Sequence, residues 1–262
     1  MHEIPTTYKG MFDLTGKTAI VTGSARGMGY EMARGLMEHG AKVLLVDLNK
    51  DGVEEARASL ESQGGIIGTI SLDVTADDAP ARIIEAAREL GGVDILVNNA
   101  GILSTADFPD MGDDQWDRVM GINLRAPMRI MREALKAMID QGSGSIINMG
   151  SSWSSRASAF NQDGGGPDYC ASKAALQALT RSAAQDGATS GVRVNAIAPG
   201  VVDTKMHEDR RALIYEYEKY IPVGRMQLAH DVVGACVFLA AAASSYITGQ
   251  TVHVNGGLLM ID

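Results

Sequence analysis

Cysteine is scarce in this 262-residue chain: there are two, Cys170 and Cys236, far apart in sequence. The five histidines (His2, His39, His207, His230 and His253) are equally scattered. Neither type clusters at metal-ligand spacing, so no metal site is expected. Aromatic residues make up only 5% of the chain. No apolar stretch approaches the roughly 18 residues a membrane span needs, so none is expected. Basic runs are missing too, and the net charge is −9. Such a chain lacks the electrostatic footprint of a nucleic-acid binder and the Lys/Arg cluster that draws a protein to anionic lipid. The opening MHEIPTTYKGMFDL holds no apolar signal core, and a cytoplasmic enzyme is the natural expectation. What the chain has in excess is glycine, 30 residues, well above the usual share of about 7%.

Short apolar runs alternate with helical patterns along the whole length. Strands are expected at Lys17–Thr22, Lys42–Asp47, Ile66–Leu72, Val93–Val97, Gly144–Met149, Val192–Ile197 and Thr251–Val254. Helices are expected at Tyr30–His39, Val53–Gln63, Pro80–Leu90, Asp113–Ile139 with an interruption near Pro127, Pro167–Ala184 and Asp231–Ala243. Met206–Tyr220 reads as one or two small helices. KVLLVD and its like are continuously apolar, as parallel strands covered on both faces are. The pattern predicts an α/β fold, a doubly wound parallel sheet with helices on both faces, in one domain over 1–262.

The first strand runs into Thr22-Gly23-Ser24-Ala25-Arg26-Gly27-Met28-Gly29 and then into a helix. Doubly wound folds bind a dinucleotide pyrophosphate at that turn. Glycine lets the backbone approach the phosphates, and the helix N-terminus supplies N–H donors. Asp47 ends the second strand, with Leu48 beside it, where a carboxylate takes the adenosine ribose hydroxyls and repels a 2′-phosphate. That favours NAD over NADP. Arg26 inside the loop pulls the other way, since a guanidinium can pair with phosphate.

Tyr169 and Lys173 stand at i, i+4, one helical turn apart, where a cation favours the phenolate. Tyr215 and Lys219 share that spacing but lie among glutamates, as on a solvated helix face, so spacing alone does not single out a site. With TGSARGMG at 22–29, LDV at 72–74, NNAG at 98–101, Asn123 in GINL, YCASK at 169–173, NAIAPGVVDT at 195–204 and the final ITGQTVHVNGG, the chain resembles the short-chain dehydrogenase/reductase family over nearly its full length.

That resemblance implies a Rossmann-type sheet of about seven strands and an NAD-dependent oxidoreductase that interconverts a secondary alcohol and a ketone. It implies Tyr169 as general acid/base, Lys173 lowering its pKa and binding the nicotinamide ribose, and Asn123 holding a relay water. A serine, Ser151 by the family's register with Ser152 one step away and Ser154 a weaker competitor, binds the substrate oxygen. On the cofactor it places Asp73 and Val74 at adenine, Asn99 with Ala100 and Gly101 along the adenosine side, and Pro199, Gly200, Val202 and Thr204 at the nicotinamide. It also implies a substrate lid at 205–225, with Met206, His207, Tyr215 and Tyr220 as candidate liners, after an N-terminal extension at 1–13.

One departure stands out. Ser151 and Tyr169 lie farther apart than the family usually sets them, and the surplus includes Asn161-Gln162-Asp163-Gly164-Gly165-Gly166. A loop over the substrate pocket and a contact with a neighbouring subunit are both open for it. Cys170 is expected to face away from the site. A small polyol, sugar acid or hydroxy-ketone is the favoured substrate, and a homo-oligomer, tetramer first, the expected assembly. The alternative is a non-catalytic NAD(H)-binding regulatory or scaffold protein on the same fold.

Overall fold

A computed structural model describes residues 8–104, 106–155, 165–203 and 216–261. Seven strands form one sheet: β1 (Thr18–Thr22), β2 (Lys42–Asp47), β3 (Ile67–Ser71), β4 (Ile95–Asn98), β5 (Gly144–Met149), β6 (Val192–Pro199) and β7 (Thr251–Val254). Every pairing is parallel, in the order β3-β2-β1-β4-β5-β6-β7. The order reverses between β1 and β4, which is where open α/β sheets place their ligands.

Alternate side chains of each strand feed opposite cores. Ala19, Val21, Val43 and Leu45 pack with α1 (Gly27–Glu38), α2 (Lys50–Glu61) and a helix near the C-terminus. Ile20, Leu44 and Val46 pack with α3 (Ala79–Leu90), a long helix α5 (Ala126–Gln141) and α6 (Pro167–Gly187). Both faces are therefore dry, and the runs between them had to be apolar throughout.

The expected break near Pro127 takes a specific form. Helix α4 (Asp113–Met120) does not stop; it widens into a π turn at Gly121–Arg125 and continues as α5. Ala126 donates its N–H to the carbonyl of Gly121, five residues back. Pro127 has no N–H and its ring crowds the carbonyl of residue 123, so a wider turn is the way to pass it. The interruption thus lands on Asn123 rather than on the proline.

Two other expectations are corrected at their ends. Helix α1 begins at Gly27, inside the glycine loop, instead of at Tyr30. The helix expected at Asp231–Ala243 is shorter: a 3-10 turn Ala229–Val232, then α7 (Val233–Ala240), then a second 3-10 turn. The half-buried Arg193 donates through its guanidinium to the carbonyls of Leu239, Ala240 and Ala241, so a side chain from β6 caps that end.

Candidate active site

The turn after β1 is held from the neighbouring strand end. The Thr22 hydroxyl accepts the N–H groups of Asn99 and Ala100, each at 3.0 Å. Asn99 Nδ2 donates to the carbonyls of Thr22 and Gly23, both at 2.9 Å. Gly29 is required by contact rather than by its dihedral angle: a Cβ there would lie 2.1 Å from the Gly23 carbonyl oxygen. Ser24 exchanges hydrogen bonds with the backbone of Val46. Asp47 takes the N–H of Ala25 on one carboxylate oxygen and that of Asn49 on the other, both at 3.0 Å. Arg26 is exposed beside it and has no ion-pair partner among the described residues; Leu48 is exposed and Met28 half-buried. Asp73 binds the N–H and hydroxyl of Thr75, while Val74 and Ala100 share a crevice with Thr22, Asn98 and Ile122.

The chemically active side chains collect one strand over, past the ends of β4 and β5. Ser151 stands against the Tyr169 hydroxyl, close enough to favour its ionised form, and its Oγ accepts the Trp153 N–H at 3.2 Å. Ser152 is turned away, where its Oγ accepts from Asn255 Nδ2 at 3.1 Å. Ser154 donates to the Ser151 carbonyl. Lys173 Nζ donates to the Met149 carbonyl at 2.7 Å and stands 5.8 Å from the Tyr169 ring centre. Asn123 is buried: Oδ1 accepts from Ile102 N–H and Nδ2 donates to the Ile102 carbonyl, each at 2.8 Å, and to Ser172 Oγ at 3.3 Å.

Electrostatics in this pocket run against one expectation. Burial pushes the Tyr169 phenol up to about 12, with Ser151 the one neighbour that works to lower it. Burial also brings Lys173 down to about 8. The lowering of Tyr169 by Lys173 is therefore not a property of the folded chain by itself. Desolvation disfavours both charged forms and outweighs the helical spacing.

On the nicotinamide side, Gly200 N–H donates to the Val254 carbonyl and to Gln227 Oε1, and Val202 forms a parallel bridge with Gln227. Pro199 ends β6. Thr204, Met206, His207, Tyr215 and most of the expected lid lie outside the described residues, as do 161–164; Tyr220 is described and exposed. Cys170 Sγ approaches the Gly165 carbonyl at 3.7 Å and packs in a small cluster with Trp153, Val201 and Leu258. The sequence reading missed Asp168, Ser104 and Gln115, which bind one another beside Tyr169. Among the described residues no group of three metal-ligating side chains forms, and no helix is long and apolar enough to cross a membrane.

Comparison with known proteins agrees with this geometry. The family model described as enoyl-(acyl carrier protein) reductase matches residues 23–259. The chain is 39% identical to the 3-oxoacyl-(acyl-carrier-protein) reductase FabG of Rickettsia conorii, over 96% of this chain and 100% of that protein. The chain belongs to the short-chain dehydrogenase/reductase family. It is 35% identical to the gluconate 5-dehydrogenase of Gluconobacter oxydans, over 96% of this chain and 98% of that one. The gluconate 5-dehydrogenase of Burkholderia cenocepacia, solved with NADP and tartrate, superposes with a TM-score of 0.88 at 33% identity, covering 95% and 97% of the two chains. This member of the family is an oxidoreductase of the kind that exchanges CH–OH and C=O.

Proposed function

We propose that the chain is an NAD(H)-dependent oxidoreductase interconverting a secondary alcohol and a ketone on a small hydroxylated substrate, with Tyr169 as its proton donor and acceptor. The observation that carries this is the convergence of Ser151, Tyr169 and Lys173 at the sheet's ligand-binding end, with the buried Lys173 Nζ 5.8 Å from the Tyr169 ring centre. The cradle made by Gly23, Gly27 and Gly29 at the start of α1 fits a pyrophosphate, and a side chain at Gly29 would collide with its backbone. When bound, the nicotinamide supplies the hydride acceptor or donor.

The residues then divide the work. Ser151 holds the reacting oxygen. Tyr169, protonated in the free chain, gives its proton to that oxygen in reduction and recovers it in oxidation. Lys173 places a cation beside the phenolate this leaves. Asn123, whose amide is held on Ile102 and Ser172, can offer a relay water its main-chain carbonyl. That carbonyl lacks an i+4 donor because residue 127 is proline.

Asp47 supports NAD over NADP. Each of its oxygens keeps a lone pair for a ribose hydroxyl after accepting one N–H, and its charge opposes a 2′-phosphate. Arg26 and the NADP in the Burkholderia cenocepacia structure weigh on the other side. A homo-oligomer, tetramer first, in the cytoplasm belongs to the same reading; edge strand β7 has one neighbour, and Tyr246, Met260 and Ile261 are exposed near it in sequence.

The test is turnover of gluconate, sorbitol and a bulky sterol with NAD+ and with NADP+. The expected outcome is activity on a small polyol or sugar acid, with NAD+ preferred at least about tenfold in kcat/KM, one hydrogen-bonded charge's worth. Tyr169→Phe should lose roughly 10²–10⁴-fold in kcat. Full activity in Tyr169→Phe would favour the non-catalytic alternative, sterol-only turnover would remove the substrate class, and an NADP+ preference would overturn the role given to Asp47.

A further inference from the structure

Four consecutive residues after β4 run alongside the catalytic groups; the first three meet them and the fourth joins the start of α6. Gly101 sits where a Cβ would stand 3.2 Å from Asn123 Oδ1 and 3.6 Å from Lys173 Nζ. Ile102 exchanges both backbone hydrogen bonds with the Asn123 amide. Leu103 meets Gly165 against the Tyr169 ring, where a Cβ on Gly165 would lie 2.5 Å from Tyr169 Cδ1 and 3.1 Å from Leu103 Cδ1. Ser104 accepts the Gly166 N–H on its carbonyl at 2.6 Å and donates its hydroxyl to Asp168.

Asp168 is what closes this strap onto α6. It is 0% exposed, a rare place for a carboxylate unless every lone pair finds work. Donors reach it from three elements: the Ser104 hydroxyl from the strap, Gln115 Nε2 at 3.0 Å from α4, and the Tyr169 N–H at 2.7 Å from α6 itself. Gln115 Nε2 also donates to Ser104 Oγ at 3.1 Å, so the three side chains form a closed ring. An acidic residue in the first turn of a helix usually complements the dipole, and an exposed one does that as well. Burial and a three-element donor set point to a different task.

We propose that Asp168 is a positioning residue for the reaction: it latches the strap Gly101–Ser104 to the N-terminus of α6 and so fixes the Tyr169 ring in register with Ser151. The proposal rests on Tyr169 being the proton donor. The latch also accounts for part of the long insert between Ser151 and Tyr169. Gly165, with φ +104°, lets the returning chain pass flat across the Tyr169 ring before Gly166 joins the strap.

The test uses the alcohol that the wild type turns over fastest in the panel above. Asp168→Ala is expected to lower kcat by roughly 10²-fold, the effect of misplacing a reacting group by about an ångström, while dinucleotide affinity measured by fluorescence titration stays unchanged. Asp168→Asn keeps the acceptor for Ser104 but turns an NH2 toward the Gln115 NH2, and should lose roughly tenfold. Pairing it with Gln115→Glu restores a donor facing an acceptor and should recover part of that loss. The proposal is overturned if Asp168→Ala keeps kcat at the wild-type level, or if the double variant is as impaired as its two single changes combined. Asp168→Asn and its pair carry the test alone if Asp168→Ala does not fold. A Tyr169→Phe enzyme that stays active identifies failure of the underlying site reading instead; an inactive one beside a fully active Asp168→Ala refutes the latch by itself.

Discussion

The two halves of the cleft are held together by different means. On the dinucleotide side the loop after β1 is shaped mainly by backbone, with Gly29 pressed on the Gly23 carbonyl and Asp47 and Asn99 binding main-chain groups. On the catalytic side the geometry rests on buried side chains: Asn123 on Ile102, Lys173 on the Met149 carbonyl, Asn255 on Ser152, Asp168 on Ser104 and Gln115. A wall made of backbone tolerates no added atom and is indifferent to most side chains. A wall made of side chains is robust to small steric change but fails one residue at a time.

The largest expected effect sharpens the second half of that contrast. Ser151→Ala removes the hydroxyl that meets Tyr169 and should cost roughly 10²–10³-fold in kcat, as loss of one donor at a reacting oxygen does. Ser152→Ala, one residue along, breaks the bond to Asn255 and should cost about 1 kcal/mol of stability with kcat unchanged. Steady-state kinetics and urea unfolding of both variants decide it; equal losses of kcat would show that the two serines are not divided in this way.

Next comes a pair that tests both halves with one chemistry. Gly29→Ala forces a methyl onto a carbonyl oxygen and should weaken dinucleotide binding by roughly 100-fold, as overpacking against backbone does. Gly165→Ala adds its methyl at the Tyr169 ring and strains a left-handed residue, which should lower kcat by about tenfold and leave dinucleotide affinity alone. Titration of NAD+ and kcat measurements on both would break the comparison if the two variants failed in the same parameter.

The same contrast governs what the sequence could reveal. The sheet was legible because dry strands must be apolar throughout, and the glycine loop because backbone contact leaves a spacing. Tyr169 and Lys173 were legible as one helical turn. Asp168, Ser104 and Gln115 were not, because they come from separate elements and nothing local distinguishes a buried Asp in a first turn from an exposed one. The π turn at Gly121–Arg125 was half visible: Pro127 announced a break, but the cost of its missing N–H falls four residues upstream. The depressed Lys173 was invisible for another reason, since helical spacing carries no information about how dry the pocket is.

That last point gives an effect on stability instead of on turnover or binding. Burial holds Lys173 at about 8 in the folded chain, against the ordinary lysine value of 10.5 in the unfolded one. Between those values the unfolded chain carries a proton that the folded chain has released, so the stability contributed by this group climbs with pH. Below about pH 8 its burial penalty is present in full. Between pH 7.5 and 9.5 the climb is about 2 kcal/mol for this one site. Tyr169, raised to about 12 from 10.0, works in the opposite sense only above pH 10, where the unfolded phenol ionises first and stability falls. Urea unfolding of the wild type and Lys173→Met at pH 7.5 and 9.5 should therefore show a pH-dependent gain in the former that the latter lacks. Parallel curves would mean that Lys173 is solvated in the folded chain and that the catalytic half is wetter than its side-chain contacts imply.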